Sequence, residues 1–465
     1  MTLLAIIWIA PADSLVYFKS LENRMLKDIH NYNARAVAAG LLLALMTGTA
    51  FAQLLPTASA LGQSANGVEQ IEAAAPLTLQ KAVALALEAN LDLTVAQREI
   101  EAVEGQVIQG RVRPNPELAY SLEDQRTPTR TQSVQINLPI ELGGKRAARI
   151  AAAERGRDVA VEELNTRRVE IRAAVVAAFF EALAAQDRTA LAQDSVDLAK
   201  QATDAVAKRV TAGKVSPVEE TKARVAEAGV RVELAQAQSE QRSARARLAS
   251  LLGANPPRFT QVAGSVDDLP NLPSLDDIQQ RLSASSALRR AQLEIERRRS
   301  LADVERSKQT PDVTVSLGVK RPNELARNQL MLGISVPLPL FDRNQGNLQE
   351  ALKREDKARD ELQALNLRLS TEVLQARERL ASVRGEIDIL QREVLPGAKS
   401  AYDAATVGFG YGKFNYLEVL DAQRTYFAAK SQYLKALADA HRAAADMDRV
   451  IGASESTTTL PANKE

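Results

Sequence analysis

The chain has 465 residues, with 59 Lys plus Arg against 58 Asp plus Glu, two histidines, no cysteine and only 4% aromatic residues. Balanced charge gives no global field for nucleic acid, and the lack of Cys excludes thiolate metal sites, disulfides, thiol nucleophiles and a lipid-modified N-terminal Cys. An apolar fraction carried mostly by Ala, Leu and Val favours long, closely packed helices over a bulky core.

Residues 1–52 are expected to be an export signal that is removed. From Met25, the expected initiator, Lys27 and Arg35 supply a basic region and Ala36 to Met46 an apolar run. Ala50-Phe51-Ala52 then offers a small-residue cleavage site before Gln53. The apolar run is far shorter than the roughly 20 residues that span a bilayer, so no transmembrane helix is expected in the mature chain. Residues 53–76 form an N-terminal extension.

The rest of the chain repeats itself. Residues 77–253 and 275–452 carry the same order of signals, with a linker at 254–274 between them and a tail at 453–465. Pro116 answers to Pro311, Pro139 to Pro337, Gly213-Lys214 to Gly412-Lys413 and Glu219 to Glu418.

Each copy opens on a helical stretch and then alternates. Leu118, Tyr120 and Leu122 alternate with Ala119, Ser121 and Glu123, and Val134, Ile136 and Leu138 follow a charged loop. The second copy repeats this with Val313, Val315, Leu317 and Val319, then Leu330, Leu332, Ile334 and Val336. Period two gives each strand one apolar and one polar face, and the prolines punctuate the ends. Strands are expected at about 116–123, 131–139, 312–320 and 330–338. Four strands cannot close a barrel, and open edges in lipid leave backbone groups unpaired. Three copies would give about 12 strands, within the range of outer-membrane barrels. A soluble sandwich is the competing reading, disfavoured because the hairpins lie far apart in sequence between extended helices.

After each hairpin comes one very long helix. No proline interrupts Gly144 to Ala212, a stretch that could reach on the order of 100 Å. Its counterpart, from about Asn347 to Leu395, shows a seam at Leu362, Leu365, Leu369, Val373, Ala376, Leu380, Val383, Ile387, Leu390 and Val394. A generic rod would explain the seam alone; the strands that interrupt the helices argue against one.

The long helices end in Gly-Lys turns at Gly213-Lys214 and Gly412-Lys413. Ser216, Pro217 and Glu219 form a capping box, which accounts for Glu219 without any function, and Asn415 and Glu418 can play the same roles. Asp421 lies beyond the cap, on the helix face of Glu418. In a three-fold assembly these two positions would form rings of carboxylates, and clustered charge at a constriction can select cations. Glu219 joins Glu418 and Asp421 as a gate candidate; a solvated helix face is the rival. The run Gly408 to Gly412 reads as a mobile tip. Gly213, Lys214, Phe409, Tyr411, Gly412, Lys413 and Phe414 are the candidate contacts for a partner there. His441, with Asp446 and Asp448 nearby, lacks further ligands at metal spacing and is read as a packing or surface residue. No metal ligand, cofactor or catalytic residue is assigned, because no nucleophile and base stand together.

Taken with the duplication, these residues resemble the TolC-like outer-membrane efflux factors over nearly all of the mature chain. Arg113-Pro114-Asn115-Pro116-Glu117-Leu118, Leu142-Gly143-Gly144-Lys145-Arg146 and Pro339-Leu340-Phe341-Asp342-Arg343-Asn344-Gln345-Gly346 are similar to the heavy-metal, CzcC- and CusC-like branch. The resemblance implies a mainly α fold with a small β membrane part. A homotrimer would build a coiled-coil α-barrel and a 12-stranded β-barrel, with the helices reaching from the outer membrane into the periplasm. It also implies a periplasmic adaptor and an inner-membrane RND pump as partners, and no nucleic acid. Leu417-Glu418-Val419-Leu420-Asp421-Ala422 matches the family motif whose acidic positions form the periplasmic constriction. Where family members hold the closed tip with a Tyr hydroxyl and an Arg, this chain has Phe409 and Phe414, so closure would need apolar contacts. A channel for drugs or for type I secretion, and a periplasmic coiled-coil adaptor or scaffold, are the alternatives.

Overall fold

The structure, a computed structural model, describes residues 76–452. The expected signal, residues 53–75 of the extension and the tail from 453 lie outside the described residues. The first copy runs β1 (Leu77–Thr78), α1 (Leu79–Ala89), α2 (Leu91–Arg111), β2 (Glu117–Glu123), β3 (Thr131–Ile140), α3 (Lys145–Thr211) and α4 (Pro217–Leu251). The second runs β4 (Val262–Ala263), α5 (Leu275–Ser283), α6 (Ser286–Ser307), β5 (Val313–Pro322) and β6 (Gln329–Ser335). It continues with α7 (Gln345–Ile389), a π-turn (Leu390–Val394), α8 (Leu395–Gly410) and α9 (Tyr416–Ile451).

Short polar side chains punctuate these helices. Asn90 ends α1 and caps α2, its Oδ1 accepting from the Asp92 N–H at 2.9 Å, while Ser285 caps α6. Helix α3 has 67 residues, about 100 Å at ~1.5 Å per residue. It begins after Gly143 and Gly144, both at positive φ. A Cβ on Gly143 would stand 2.6 Å from Thr310 Cβ, so a side chain there would collide with the end of the matching segment in the other copy. Asn344 takes the left-handed position at the start of α7 and donates from Nδ2 to the Glu305 carbonyl at 2.8 Å.

The hairpins of the two copies form one antiparallel sheet in the order β2-β3-β5-β6. β3 joins β5 from Thr131↔Pro322 to Ile140↔Val313, leaving β2 and β6 as open edges. Register puts Val134 opposite Val319 and Ile136 opposite Leu317 on one face. That apolar face is the exposed one, with Leu332 at 75% and Ile334 at 76%, whereas Thr131 and Ser133 on the polar face are buried. On the polar face Ser316 donates to Asn137 Oδ1 at 2.8 Å, and the Ser121 and Ser133 hydroxyls are 2.6 Å apart. β6 stops at Ser335, short of the expected 338, because β5, its one partner, pairs no further than Thr314 there. Val336 and Leu338 stay exposed beyond that point.

The helical core is built on small residues. Phe179, Val175 and Leu183 of α3 pack with Leu248 of α4, Leu380 and Ile387 of α7, and Leu437 of α9, while Ala182, Ala184 and Ala440 let the backbones approach. Residues 254–274 are more than a tether: Phe259, Val262 and Val266 are buried in this core, and β4 pairs in parallel with β1. His441 is buried, its ring stacked on Phe180 at 3.5 Å and its Nε2 3.1 Å from the Val266 carbonyl. Burial lowers its pKa to about 4, so the ring is neutral at pH 7.

The expected seam holds only as far as Leu390. Leu369, Val373, Leu380, Ile387 and Leu390 are buried, but Val394 is exposed, and burial resumes at Ala398 and Ala405. Pro396 has no N–H and its ring clashes with a continuous α turn. The chain answers with a π-turn, the Leu395 N–H bonding to the Leu390 carbonyl. One extra residue in the turn shifts the buried face by one position.

Candidate functional site at the helical tips

The two tips are built alike. Lys214 N–H donates to the Arg209 carbonyl and Gly213 N–H to Val210; Lys413 donates to Gly408 and Gly412 to Phe409, all at 2.9–3.0 Å. With Gly213 and Gly412 at positive φ, both turns are Schellman caps. The return helices then start at Ser216, whose hydroxyl accepts from Val218 N–H, and at Asn415, whose Oδ1 accepts from Glu418 N–H at 3.0 Å. Ser216 caps its helix, but the reciprocal capping box expected with Glu219 is not formed. Its carboxylate pairs with Lys222 at 3.0 Å, and Ser216 caps the second helical position rather than the third.

The aromatic residues divide. Phe409, expected either as a partner contact or as an apolar contact in closing the tip, packs inward with Val206, Ala223, Ala226, Tyr416 and Leu420. Arg209 lies over its ring at 3.9 Å and donates from Nη2 to the Phe409 carbonyl at 2.8 Å. A polar bond therefore does reach this position, supplied by the first copy to main chain rather than to a side chain. In the Gly408–Gly412 run, residues 408–410 finish α8, and the Phe414 ring covers Gly408 so closely that a Cβ would sit 2.2 Å from its Cδ2. Tyr411, at 80% exposure, points to solvent, and Gly213, Lys214, Gly412 and Lys413 lie in the exposed turns. Tyr416 is buried without a hydrogen-bond partner for its hydroxyl, and burial raises its pKa.

On α9, Tyr416, Val419, Leu420 and Gln423 are buried, while Leu417, Glu418 and Asp421 are exposed together. The two carboxylates share an open face, as their spacing predicts. Arg209 and Tyr416 were missed by sequence reasoning. Nothing local marks them, because their roles depend on the other copy or on the return helix. Among the described residues no group of three or more His, Asp or Glu is placed to hold a metal ion. No described helix is long and apolar enough to cross a membrane, which says nothing of the sheet.

The sequence profile described as "Outer membrane efflux protein" matches residues 82–254 and 278–453, one stretch in each copy. The chain belongs to the outer membrane efflux protein family. Among relatives of this efflux protein is the cobalt-zinc-cadmium resistance protein CzcC of Cupriavidus metallidurans, 46% identical over 415 residues. That match takes in 88% of this chain and 99% of CzcC. The nickel-cobalt-cadmium resistance protein NccC of Alcaligenes xylosoxydans xylosoxydans is 26% identical over 65% of this chain and 70% of its own. Among solved structures, CusC superposes with a TM-score of 0.69 at 20% identity, covering 81% of this chain and 92% of that one. The open state of the Neisseria gonorrhoeae MtrE outer membrane channel gives 0.69 at 20%, covering 80% and 88%. The efflux protein thus has the TolC-like fold: mainly α, with a small β part.

Proposed function

We propose that three copies of this chain form an outer-membrane channel that exports heavy-metal cations as the outer part of a tripartite RND system. One observation carries the channel reading: a sheet with an exposed apolar face and two open edges is joined to long helices, α3 alone spanning about 100 Å. Pairing β6 of one copy with β2 of the next closes twelve strands and leaves no edge, with lipid outside and the polar face around a wet lumen. The helices then reach into the periplasm with their tips farthest from the membrane. Metal as cargo is supported by the near full-length likeness to CzcC.

A periplasmic adaptor would meet the exposed turns at Gly213, Lys214, Tyr411, Gly412, Lys413 and Phe414. Glu418 and Asp421, on one open face, would ring the constriction; Glu219, held by Lys222, contributes less. The pump supplies energy, and this subunit performs no covalent chemistry. A deletion strain should become sensitive to cobalt, zinc or cadmium and recover with the cloned gene, and pump and adaptor should copurify with the channel. Unchanged metal tolerance combined with sensitivity to drugs would move the cargo assignment to drug efflux.

A further inference from the structure

The apolar row on the outer face of β5 ends in a charge. Val313, Val315, Leu317 and Val319 share that face, and the next position with the same orientation is Arg321, opposite Gln132. Arg321 therefore stands about 7 Å beyond the last apolar side chain, within reach of a snorkelling guanidinium.

The loops beyond are one ordered unit. Asn323 donates its N–H to the Arg130 carbonyl at 2.9 Å and its Nδ2 to the Thr127 carbonyl at 2.8 Å, tying the second copy's loop to the first. Two neighbouring acids are already engaged. Glu123 pairs with Lys320 at 3.4 Å, and the Asp124 carboxylate accepts from Arg126 N–H at 3.0 Å and from the Thr129 hydroxyl. The side chains of Arg126, Arg321 and Arg327 are exposed and have no carboxylate partner among the described residues, against one exposed, unpaired acid, Glu324. This excess of cation sits at the end of the sheet away from the helices.

We infer that Arg321, with Arg126 and Arg327 on the same rim of loops, binds the phosphate of a lipid headgroup in the outer leaflet of the membrane. The inference rests on the barrel reading above. What favours a lipid is continuity: Arg321 belongs to the same row of side chains that the acyl region covers, and guanidinium forks suit phosphate.

The test uses the full purified chain in detergent, titrated with lipid A carrying both phosphates, with dephosphorylated lipid A and with inorganic phosphate, bound species being read by native mass spectrometry. Lipid A should bind with its phosphates and lose about tenfold in affinity in Arg321→Gln. The triple change with Arg126→Gln and Arg327→Gln should cost about a hundredfold, and Arg321→Lys should restore part of the loss. Equal binding of dephosphorylated lipid A, or unchanged binding by the triple variant, overturns the inference. Inorganic phosphate that competes with equal affinity also overturns it, by making the site one for free anions. Insertion into phosphatidylcholine vesicles separates the two readings: a chain that inserts but shows no phosphate dependence refutes only the arginine site, whereas one that never inserts refutes the barrel and the site with it.

Discussion

Arg209 caps a helix that it does not belong to. Its guanidinium covers the Phe409 ring at 3.9 Å and donates to the Phe409 carbonyl at 2.8 Å, so a cation from the first copy sits at the C-terminal end of α8 in the second. A positive charge there meets the negative end of the helix dipole and a π face at once.

Removing that contact should loosen the second tip. Arg209→Ala is expected to cost about 1 kcal/mol locally, read as faster hydrogen exchange at the Tyr411 and Gly412 amides. Arg209→Lys keeps the charge but not the planar fork and should recover only part of the protection. Unchanged exchange in Arg209→Ala would show that Phe409 is held by its apolar neighbours alone.

Gly408 and Gly410 lie two residues apart and should respond in opposite directions. Gly408→Ala drives a Cβ into the Phe414 ring and should destabilise the tip, whereas nothing lies within 4 Å of a Cβ at Gly410. Gly410→Ala is expected to stabilise the last turn of α8 by up to about 1 kcal/mol. Thermal melts of the two single variants, side by side, decide it.

The paired carboxylates give an electrical prediction. Glu418→Ala with Asp421→Ala should weaken block by divalent cations and reduce cation selectivity in planar-bilayer recordings, while Glu219→Ala should change little because Lys222 already neutralises it. A double variant with wild-type selectivity and block would return the two acids to an ordinary solvated face.

The two faces of the sheet should tolerate opposite changes. Ile334→Arg puts a charge on the lipid side and is expected to cost about 2–4 kcal/mol near the bilayer midplane, seen as loss of the heat-resistant oligomer from outer membranes. Thr314→Asn, on the polar face, should leave assembly intact.

His441 makes the helical core sensitive to mild acid. Its folded pKa is lowered to about 4 from 6.5, mainly by burial, so the unfolded chain takes up the proton first as pH falls. The stabilisation is complete above pH 6.5 and is lost as pH drops toward 4, at most about 3 kcal/mol. Melting temperature against pH should fall through that window, and His441→Gln should flatten the curve.

Much of this was legible because its causes are local. Alternation, the prolines at strand ends and the Gly-Lys turns act within a few residues, so the hairpins, the long helices and the glycine stops at both tips could be read directly. What escaped depends on distant chain. The contact that holds Phe409 was not visible because its partner Arg209 lies in the other copy. Residues 254–274 looked like a plain linker because Phe259 and Val266 bury against helices far away in sequence. The seam ran on to Val394 on paper because heptad counting assumes an unbroken α turn, and Pro396 breaks it.

The π-turn also preserves a record of how the two copies diverged. Along the seam, Ile171, Val175 and Ala182 correspond in burial to Leu369, Val373 and Leu380, a constant separation of 198 residues; beyond the turn, Ala199, Val206 and Gly213 correspond to Ala398, Ala405 and Gly412, a separation of 199. The second copy thus holds one more residue between matched positions than the first. Absorbed in a single widened turn, that extra residue is not felt at the tip, so a mutation carried over from one copy to the other must change its numerical offset across residues 390–394 to land on the equivalent face.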